Sequence, residues 1–312
     1  MSKTAATLTD KTLPENVSTL IDLILEENPM HNSFIQNALG HVTEEELSTL
    51  DSYLDFCQSK GQNLPYMADA YLTIVGDTFR EQLYFMKHKE YRHKSYADVA
   101  GHVYDDKDYM NKYMYGLAIT SFLWPNHLDM GRLFVETMPQ TRNGKYLDIG
   151  PGHGYYLMKA MELGSFDEFL GIDISEASIN QTGAILDHFK PEFKERFELR
   201  LMDFLDATEL EAGSFDAIVM GEVLEHVEQP DVFLKRIAEL AKDDAYIYVT
   251  TCINAPAVDH IFLWRSTEEL EKMIEGTGLK IKTPLRLPYE GKTLEESQAE
   301  ELSINVAYVL EK

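Results

Sequence analysis

Cysteine is scarce in this chain: Cys57 and Cys252 are the only two in 312 residues. That excludes a disulfide framework and makes the reducing cytoplasm the expected home. Long apolar runs are missing as well. No stretch of about 18 apolar residues occurs, so no transmembrane helix is expected. The opening MSKTAATLTDKTLPEN has no apolar stretch of the kind a secretory leader needs. Positive charge is in short supply: 28 basic residues stand against 53 acidic ones, a net charge of −25. Such a surface repels phosphate backbones and anionic lipid, so neither nucleic acid nor a membrane is an expected partner. The densest basic segment, FMKHKEYRHK (85–94), has the length of a solvated helix face. No internal repeat or low-complexity linker stands out. The 44% hydrophobic content does supply a sizeable core.

What is present changes character near residue 140. Before it the reading is helical. NVSTLIDLILEEN sets Val17, Leu20, Ile21, Ile24 and Leu25 on one stripe, stopped by Asn28-Pro29. Thr43 and Glu46 have capping-box spacing. Longer helical patterns cover 65–91, 106–124 and 127–138. After residue 140, strand candidates (KYLDIG, EFLGIDI, FELRLMD, FDAIVMG, AYIYVTT) alternate with helical stretches, and LKIKTPLRL with INVAYVL closes as a hairpin. The expected domains are a helical region, 1–140, and an α/β region, 141–312. Alternation of this kind argues for a parallel sheet covered on both faces. Its ligand belongs at the carboxyl ends of the strands, where strand order switches.

One loop stands at that place. YLDIGPGHGYYLMKA (146–160) has Gly150, Gly152 and Gly154 between an apolar run and a helical pattern. Glycines let a backbone approach a ligand, and the next helix offers unpaired N–H groups and a positive dipole end. Asp173 ends the second strand and could accept two hydrogen bonds from a ribose diol. Asp203 ends the third, and with Phe204 could take an adenine amino group and ring. Singly, each has a plainer reading: a tight turn, or a helix cap. The ordered set is more specific.

LDIGPGHGYY, GIDIS, LMDF and FDAIVMGEVLEHVEQP, in that order, resemble the motifs of the class I S-adenosylmethionine-dependent methyltransferases, over 142–312. The resemblance implies a Rossmann-like seven-stranded sheet with its last strand antiparallel. It implies S-adenosylmethionine as cofactor, its methionine end against Gly150 and Gly152. Asp148 would fix the loop or the amino group, Asp173 the ribose, Asp203 and Phe204 the adenine. Met220 and Gly221 would border the sulfonium. A nicotinamide-binding Rossmann protein would more often show Gly-x-Gly-x-x-Gly than the Gly-Pro-Gly-His-Gly found here.

GEVLEHVEQP (221–230) adds Glu222, Glu225 and His226, which can converge on one face of a helical turn. The plain reading is local packing, with His226 facing substrate. The segment is also similar to the E-x-x-E-H of plant-type small-RNA 3′-end methyltransferases, and DHIFLW (259–264) puts His260 where they carry a further histidine. That resemblance implies a divalent metal on Glu222, Glu225, His226 and His260, and the donor set suits Mg²⁺, Mn²⁺ or Fe²⁺ better than structural zinc.

The helical region reads as a lid or dimerisation element for a small-molecule acceptor, a homodimer being one of its uses. Tyr113, Tyr115, Trp124 and His127, in YMNKYMYGLAITSFLWPNH (109–127), could line a chamber, or be core. His226 and His127 are the candidate bases, and His153 packs beside the cofactor. The expected function is methyl transfer to a small molecule, to oxygen by default, with carbon or nitrogen open. The alternatives are a metal-dependent RNA methyltransferase, a dehydrogenase, or a binding protein that keeps the fold without catalysis.

Overall fold

The computed structural model describes residues 12–101, 103–104, 106–140, 143–164 and 166–312. The opening segment read above for a leader, up to Lys11, and Arg142, where the resemblance begins, lie outside the described residues. The helices are α1 (Glu15–Glu27), α2 (Asn32–His41), α3 (Glu44–Ser59), α4 (Leu64–His88), α5 (Tyr96–Ala100), α6 (Lys107–Leu123), α7 (Pro125–Thr137), α8 (Tyr155–Leu163), α9 (Glu176–Phe189), α10 (Pro230–Leu240), α11 (Thr267–Gly276) and α12 (Leu294–Ala299). The strands are β1 (Lys145–Ile149), β2 (Glu168–Asp173), β3 (Phe197–Leu201), β4 (Phe215–Gly221), β5 (Ala241–Ile253), β6 (Lys280–Leu287) and β7 (Ile304–Glu311). Among the described residues, no helix is long and apolar enough to cross a membrane.

The chain forms two compact units: the described part of Met1–Gly76 with Tyr115–Asp129, and Asp77–Met114 with Met130–Lys312. The units therefore cut across the helical region, and the change of character near residue 140 marks the start of the strands.

The first unit is helical. α1 buries Val17, Leu20, Ile21 and Ile24, the stripe its spacing sets. Thr43 and Glu46 exchange the two hydrogen bonds of a capping box at the start of α3. Tyr71 accepts from Trp124 Nε1 at 3.3 Å and pairs with His31 Nε2 at 2.8 Å. α4 and α6 cross closely at Gly116: a Cβ there would lie 2.5 Å from the Ala70 carbonyl oxygen and 2.6 Å from Ile74 Cγ1.

The second unit carries one seven-stranded sheet, ordered β3-β2-β1-β4-β5-β7-β6. β1 to β5 pair in parallel, and β7 runs antiparallel to both β5 and β6. This is the Rossmann-like arrangement the resemblance implied. Successive residues of β1 and β4 feed opposite faces. Leu147, Ile149, Ile218 and Met220 pack with Leu234 and Ile237 of α10. Tyr146, Ala217 and Val219 pack with Phe134 of α7 and Leu157 of α8. Burial on both faces explains the near-continuous apolar strands. Strand order switches between β1 and β4, so the loops after them flank the crevice where such sheets bind ligands. Residues 77–114 join this unit through contacts such as Ala255 N–H donating to Tyr91 Oη at 3.1 Å.

Two glycines on neighbouring stretches of helix should answer the same substitution with opposite signs. Gly116→Ala should destabilise by about 1–3 kcal/mol, because overpacking at the crossing exceeds the helix-propensity gain. Gly76→Ala, with nothing within 4 Å of the added methyl, should stabilise by up to about 1 kcal/mol. Urea denaturation measures both, and a Gly116→Ala protein as stable as Gly76→Ala would contradict the close crossing.

Candidate active site

The glycine loop begins where β1 ends. Gly150, Gly152 and Gly154 have φ of 69°, 58° and 76°, all in the left-handed region that suits glycine. Gly154 opens α8. A Cβ on Gly150 would lie 2.6 Å from Val223 Cγ2, whereas one on Gly152 would meet only Met114 Cε at 3.5 Å and its own loop's Gly150 carbonyl oxygen at 3.9 Å. Gly152 thus presents bare backbone. Its carbonyl accepts from Ser178 Oγ at 2.9 Å and Thr182 Oγ1 at 2.8 Å, which straps the loop to α9.

Asp173 belongs to the same assembly. Its Oδ1 accepts from the Ser175 amide at 2.8 Å, and its Oδ2 accepts from Ser178 Oγ and, at 3.4 Å, the Gly152 amide. A carboxylate has about four acceptor positions, and these three donors leave one, on Oδ1, for a ligand hydroxyl. Burial raises the Asp173 pKa. Asp148, 1% exposed, accepts from Tyr146 Oη at 3.3 Å, and burial lifts its pKa to about 8. A cationic group seated beside it would favour the charged form. Asp203 is exposed, and its Oδ1 caps the short turn after β3 through the Leu205 amide at 2.8 Å. Phe204 is 3% exposed and packs on Phe233, with ring centroids 5.6 Å apart. Met220 is also within the core. The exposed apolar side chains at these strand ends are Ile174 and Leu201, which the sequence reading passed over. His153 is held neutral by burial, its pKa lowered to about 4.

The loops after β4 and β5 build the second half. A Cβ on Gly221 would lie 2.5 Å from Tyr156 Cε2. Glu222 follows at φ 53°, unusual for a residue with a Cβ. Its amide donates to the Thr250 carbonyl at 3.1 Å and to Thr250 Oγ1 at 3.0 Å. Leu224, Glu225 and His226 form a single 3₁₀ turn. Glu225 is fully buried: its Oε2 accepts from Thr251 Oγ1 at 2.7 Å, while no donor reaches its Oε1. The Glu225 carbonyl accepts from the Ile261 and Phe262 amides at 2.9 and 3.0 Å, which seats DHIFLW on E-x-x-E-H.

Both histidines are oriented through Nδ1. His260 Nδ1 donates to the Ala255 carbonyl at 2.6 Å. His226 Nδ1 donates to the Asp259 carbonyl at 3.1 Å and lies 3.4 Å from Asp259 Oδ2. Carbonyls only accept, so these bonds put the protons on Nδ1 and leave each Nε2 a bare lone pair. His226 Nε2 lies 3.9 Å from Glu225 Oε1, and the two imidazoles cross edge to face at 4.8 Å. Burial lowers the His260 pKa to about 4. Glu222 and Glu225 titrate well above the usual carboxylate range, chiefly through burial, and for Glu222 also through the Glu225 charge.

Ligand atoms of Glu225, His226 and His260 lie within 4.8 Å of one another, and so do those of Glu222, Glu225 and Cys252. Glu225 is the shared member, so the four residues singled out from sequence fall into two overlapping trios. Cys252 and Asp259 were missed. Asp259 is buried and accepts from Tyr104 Oη at 3.4 Å and Tyr113 Oη at 3.3 Å; it directly precedes His260, which was the available signal. His127 belongs to the first unit, where its Nδ1 lies 3.1 Å from Thr120 Oγ1 and its ring 5.1 Å from Trp124. Tyr115, in that unit too, packs on Tyr66.

The family described as a methyltransferase domain matches residues 127–283. The human mitochondrial ubiquinone biosynthesis O-methyltransferase is 27% identical over 199 residues, 55% of this chain and 53% of that protein. The protein of the same name from Acinetobacter baylyi is 25% identical over 52% of this chain and 74% of its own length. The chain thus spans about half the length of the human relative. Two solved structures share the fold. Phosphoethanolamine N-methyltransferase 2 of Haemonchus contortus, with phosphomonomethylethanolamine and S-adenosylhomocysteine, has a TM-score of 0.54 at 14% identity, over 70% of this chain and 60% of that one. A chain of a Haloferax volcanii complex of a methyltransferase with its activator has a TM-score of 0.50 at 17% identity, over 66% and 96%. Matched over half its length by the family, and carrying the glycine loop on a seven-stranded sheet of the expected order, the chain belongs to the class I S-adenosylmethionine-dependent methyltransferases.

Proposed function

We propose that this protein transfers the methyl group of S-adenosylmethionine to a hydroxyl of a small molecule, with a divalent cation held by Glu222, Glu225, His226 and His260. The observation that carries this reading is Glu225 Oε1: a fully buried carboxylate oxygen without a donor, beside a second carboxylate and two imidazoles with bare Nε2 atoms. Buried carboxylates need a proton or a cation between them.

The cofactor fits the first half of the site on its own terms. Gly152 leaves backbone open, Asp148 supplies a buried acid for an ammonium, and Asp173 keeps one acceptor position for a ribose hydroxyl. When bound, the cofactor supplies a methyl group already activated on a sulfonium. The chain's task is then alignment and removal of the acceptor proton. Gly221, with Tyr156 against it, shapes the wall at the end of β4. His226 has one free lone pair, on Nε2, which is a ligand when the cation is bound and the proton acceptor when the site is metal-free; its ring is fixed from behind by Asp259. A cation on the four ligands would lower the pKa of an acceptor hydroxyl and hold its oxygen. Asp203 would take the adenine amino group, with Phe204 and Met220 supporting the pocket from the core. His127 is the alternative base. The helical residues would serve as lid or dimer contact, with Tyr104 and Tyr113 on Asp259 as the supporting observation. Two buried free thiols, Cys57 and Cys252, suit a reducing cytoplasm. The relatives named O-methyltransferases support oxygen as the acceptor atom.

Titration calorimetry with S-adenosylhomocysteine should show Asp173→Asn binding roughly ten- to a hundredfold more weakly, equivalent to the ~1.5–3 kcal/mol of a hydrogen bond to a charged group. A folded variant with unchanged affinity would remove Asp173 from the ribose.

Excess chelator should abolish turnover while cofactor affinity stays intact, and His260→Ala should reproduce that pattern. Full turnover in chelator, with no metal by elemental analysis, would leave His226 as a metal-free base.

Stability should carry the mark of the buried acids. Asp148, Glu222 and Glu225 have folded pKa values above their ordinary ones. Their contribution is complete below the ordinary carboxylate range and is lost as pH rises toward about 8. Calorimetry on the cofactor-free protein in chelator should therefore show Tm falling between about pH 5 and about pH 8. The Glu222→Gln, Glu225→Gln double variant should fall less steeply; an equal or steeper slope contradicts the assignment.

A further inference from the structure

Cys252 lies near the end of β5, on a strand end that serves both carboxylates. β5 delivers three consecutive residues to them: Thr250 binds the Glu222 amide, Thr251 binds Glu225 Oε2, and Cys252 Sγ sits within 4.8 Å of ligand atoms of both. The thiol is 1% exposed. Its own hydrogen bonding is poor. Sγ is 3.9 Å from the Ala255 carbonyl, which already accepts from His260 Nδ1 at 2.6 Å, and 3.6 Å from that protonated Nδ1. Glu225 Oε1, fully buried and without a donor, belongs to the same cluster.

We infer that Cys252 is a ligand of the cation at this site, its thiolate joining Glu222 and Glu225, so that the ion is a borderline one such as Fe²⁺, Co²⁺ or Zn²⁺ rather than Mg²⁺. The inference rests on the metal reading above and narrows it. Thiolate is a soft donor that selects such ions, whereas Mg²⁺ takes oxygen ligands and keeps its water. A thiol ligates as thiolate, so binding releases the Cys252 proton to solvent. Two carboxylates and one thiolate oppose two positive charges, and the neutral imidazoles of His226 and His260 add donors without adding charge.

Co²⁺ titrated into the full-length, chelator-treated protein separates the outcomes. Thiolate ligation gives an intense near-ultraviolet charge-transfer band; oxygen and nitrogen ligation alone gives only the weak visible bands. The wild type should show the near-ultraviolet band saturating at one Co²⁺ per chain, undiminished by excess Mg²⁺. Cys252→Ser, or Cys252→Ala where the hydroxyl is not tolerated, should lose that band and keep the visible ones. Cys57→Ser, at the only other cysteine, should keep both. Visible bands without the near-ultraviolet band in the wild type would overturn the Cys252 inference and leave the metal reading standing. A band that survives in the Cys252 variants would overturn it too. Absence of any Co²⁺ binding would overturn both.

Discussion

Two carboxylates, the half-buried Glu222 and the fully buried Glu225, lie close together, and the loops around them are arranged to make that tolerable. Glu222 and Glu225 cannot both be ionised at close range in a buried site without a proton or a cation to neutralise them. Every neighbouring element is bent to this pair. Glu222 has φ 53°, a conformation that costs of order 1–2 kcal/mol for a residue with a Cβ. It is held there by both Thr250 acceptors. Glu225 gives its carbonyl to two amides of the loop after β5 and one carboxylate oxygen to Thr251. The loops after β4 and β5 therefore behave as one structure, and a change in either is felt by the other.

The two halves of the site solve different problems. The cofactor half is made of backbone: three left-handed glycines, a carbonyl strapped by Ser178 and Thr182, and Asp173 joining Gly152 to the start of α9. The half built on the loops after β4 and β5 is made of side chains. His226 and His260 each spend Nδ1 on a carbonyl, which leaves the tautomer little freedom. Asp259 connects this half to residues 77–114, because Tyr104 and Tyr113 both donate to it. Helical residues far from the glycine loop in sequence thus bear on the orientation of His226.

What was legible in the sequence follows from what is local. The glycine loop, the strand-end aspartates and the alternation of strands with helices are short-range signals, and the sheet order agrees with them. The capping box at Thr43 was readable for the same reason. Those of Ser95 with Asp98 and Thr293 with Glu296 begin α5 and α12, helices of five and six residues with too little periodicity to notice. E-x-x-E-H was read as a helical turn. It is a single 3₁₀ turn with Glu222 outside it, because Thr250 draws the Glu222 amide toward β5. Cys252 and Asp259 escaped notice because their importance depends on β4 and β5 pairing in register, with Gly221 opposite Thr250. Phe204 shows the reverse limit: an aromatic after a strand-end acid reads as a stacking platform, yet its ring packs on Phe233 in the core.

The charge of the reaction bears on how the acids are neutralised. A methyl sulfonium is positive before transfer and neutral after it, so positive charge on sulfur fades in the transition state. A strong negative field there would stabilise the bound cofactor more than the transition state and slow the chemical step. Yet the crevice gathers Asp148, Asp173, Glu222, Glu225 and Asp259, in a chain of net charge −25. The raised pKa values of Asp148, Glu222 and Glu225 mean that burial already suppresses part of that field. Asp148 can take its counter-charge from an ammonium, which keeps its charge throughout the transfer. Glu222 and Glu225 have no such lasting partner in the substrates of a methyl transfer. A resident cation beside the sulfonium would give them one, and would direct the remaining field at the acceptor oxygen, where negative charge develops as its proton leaves.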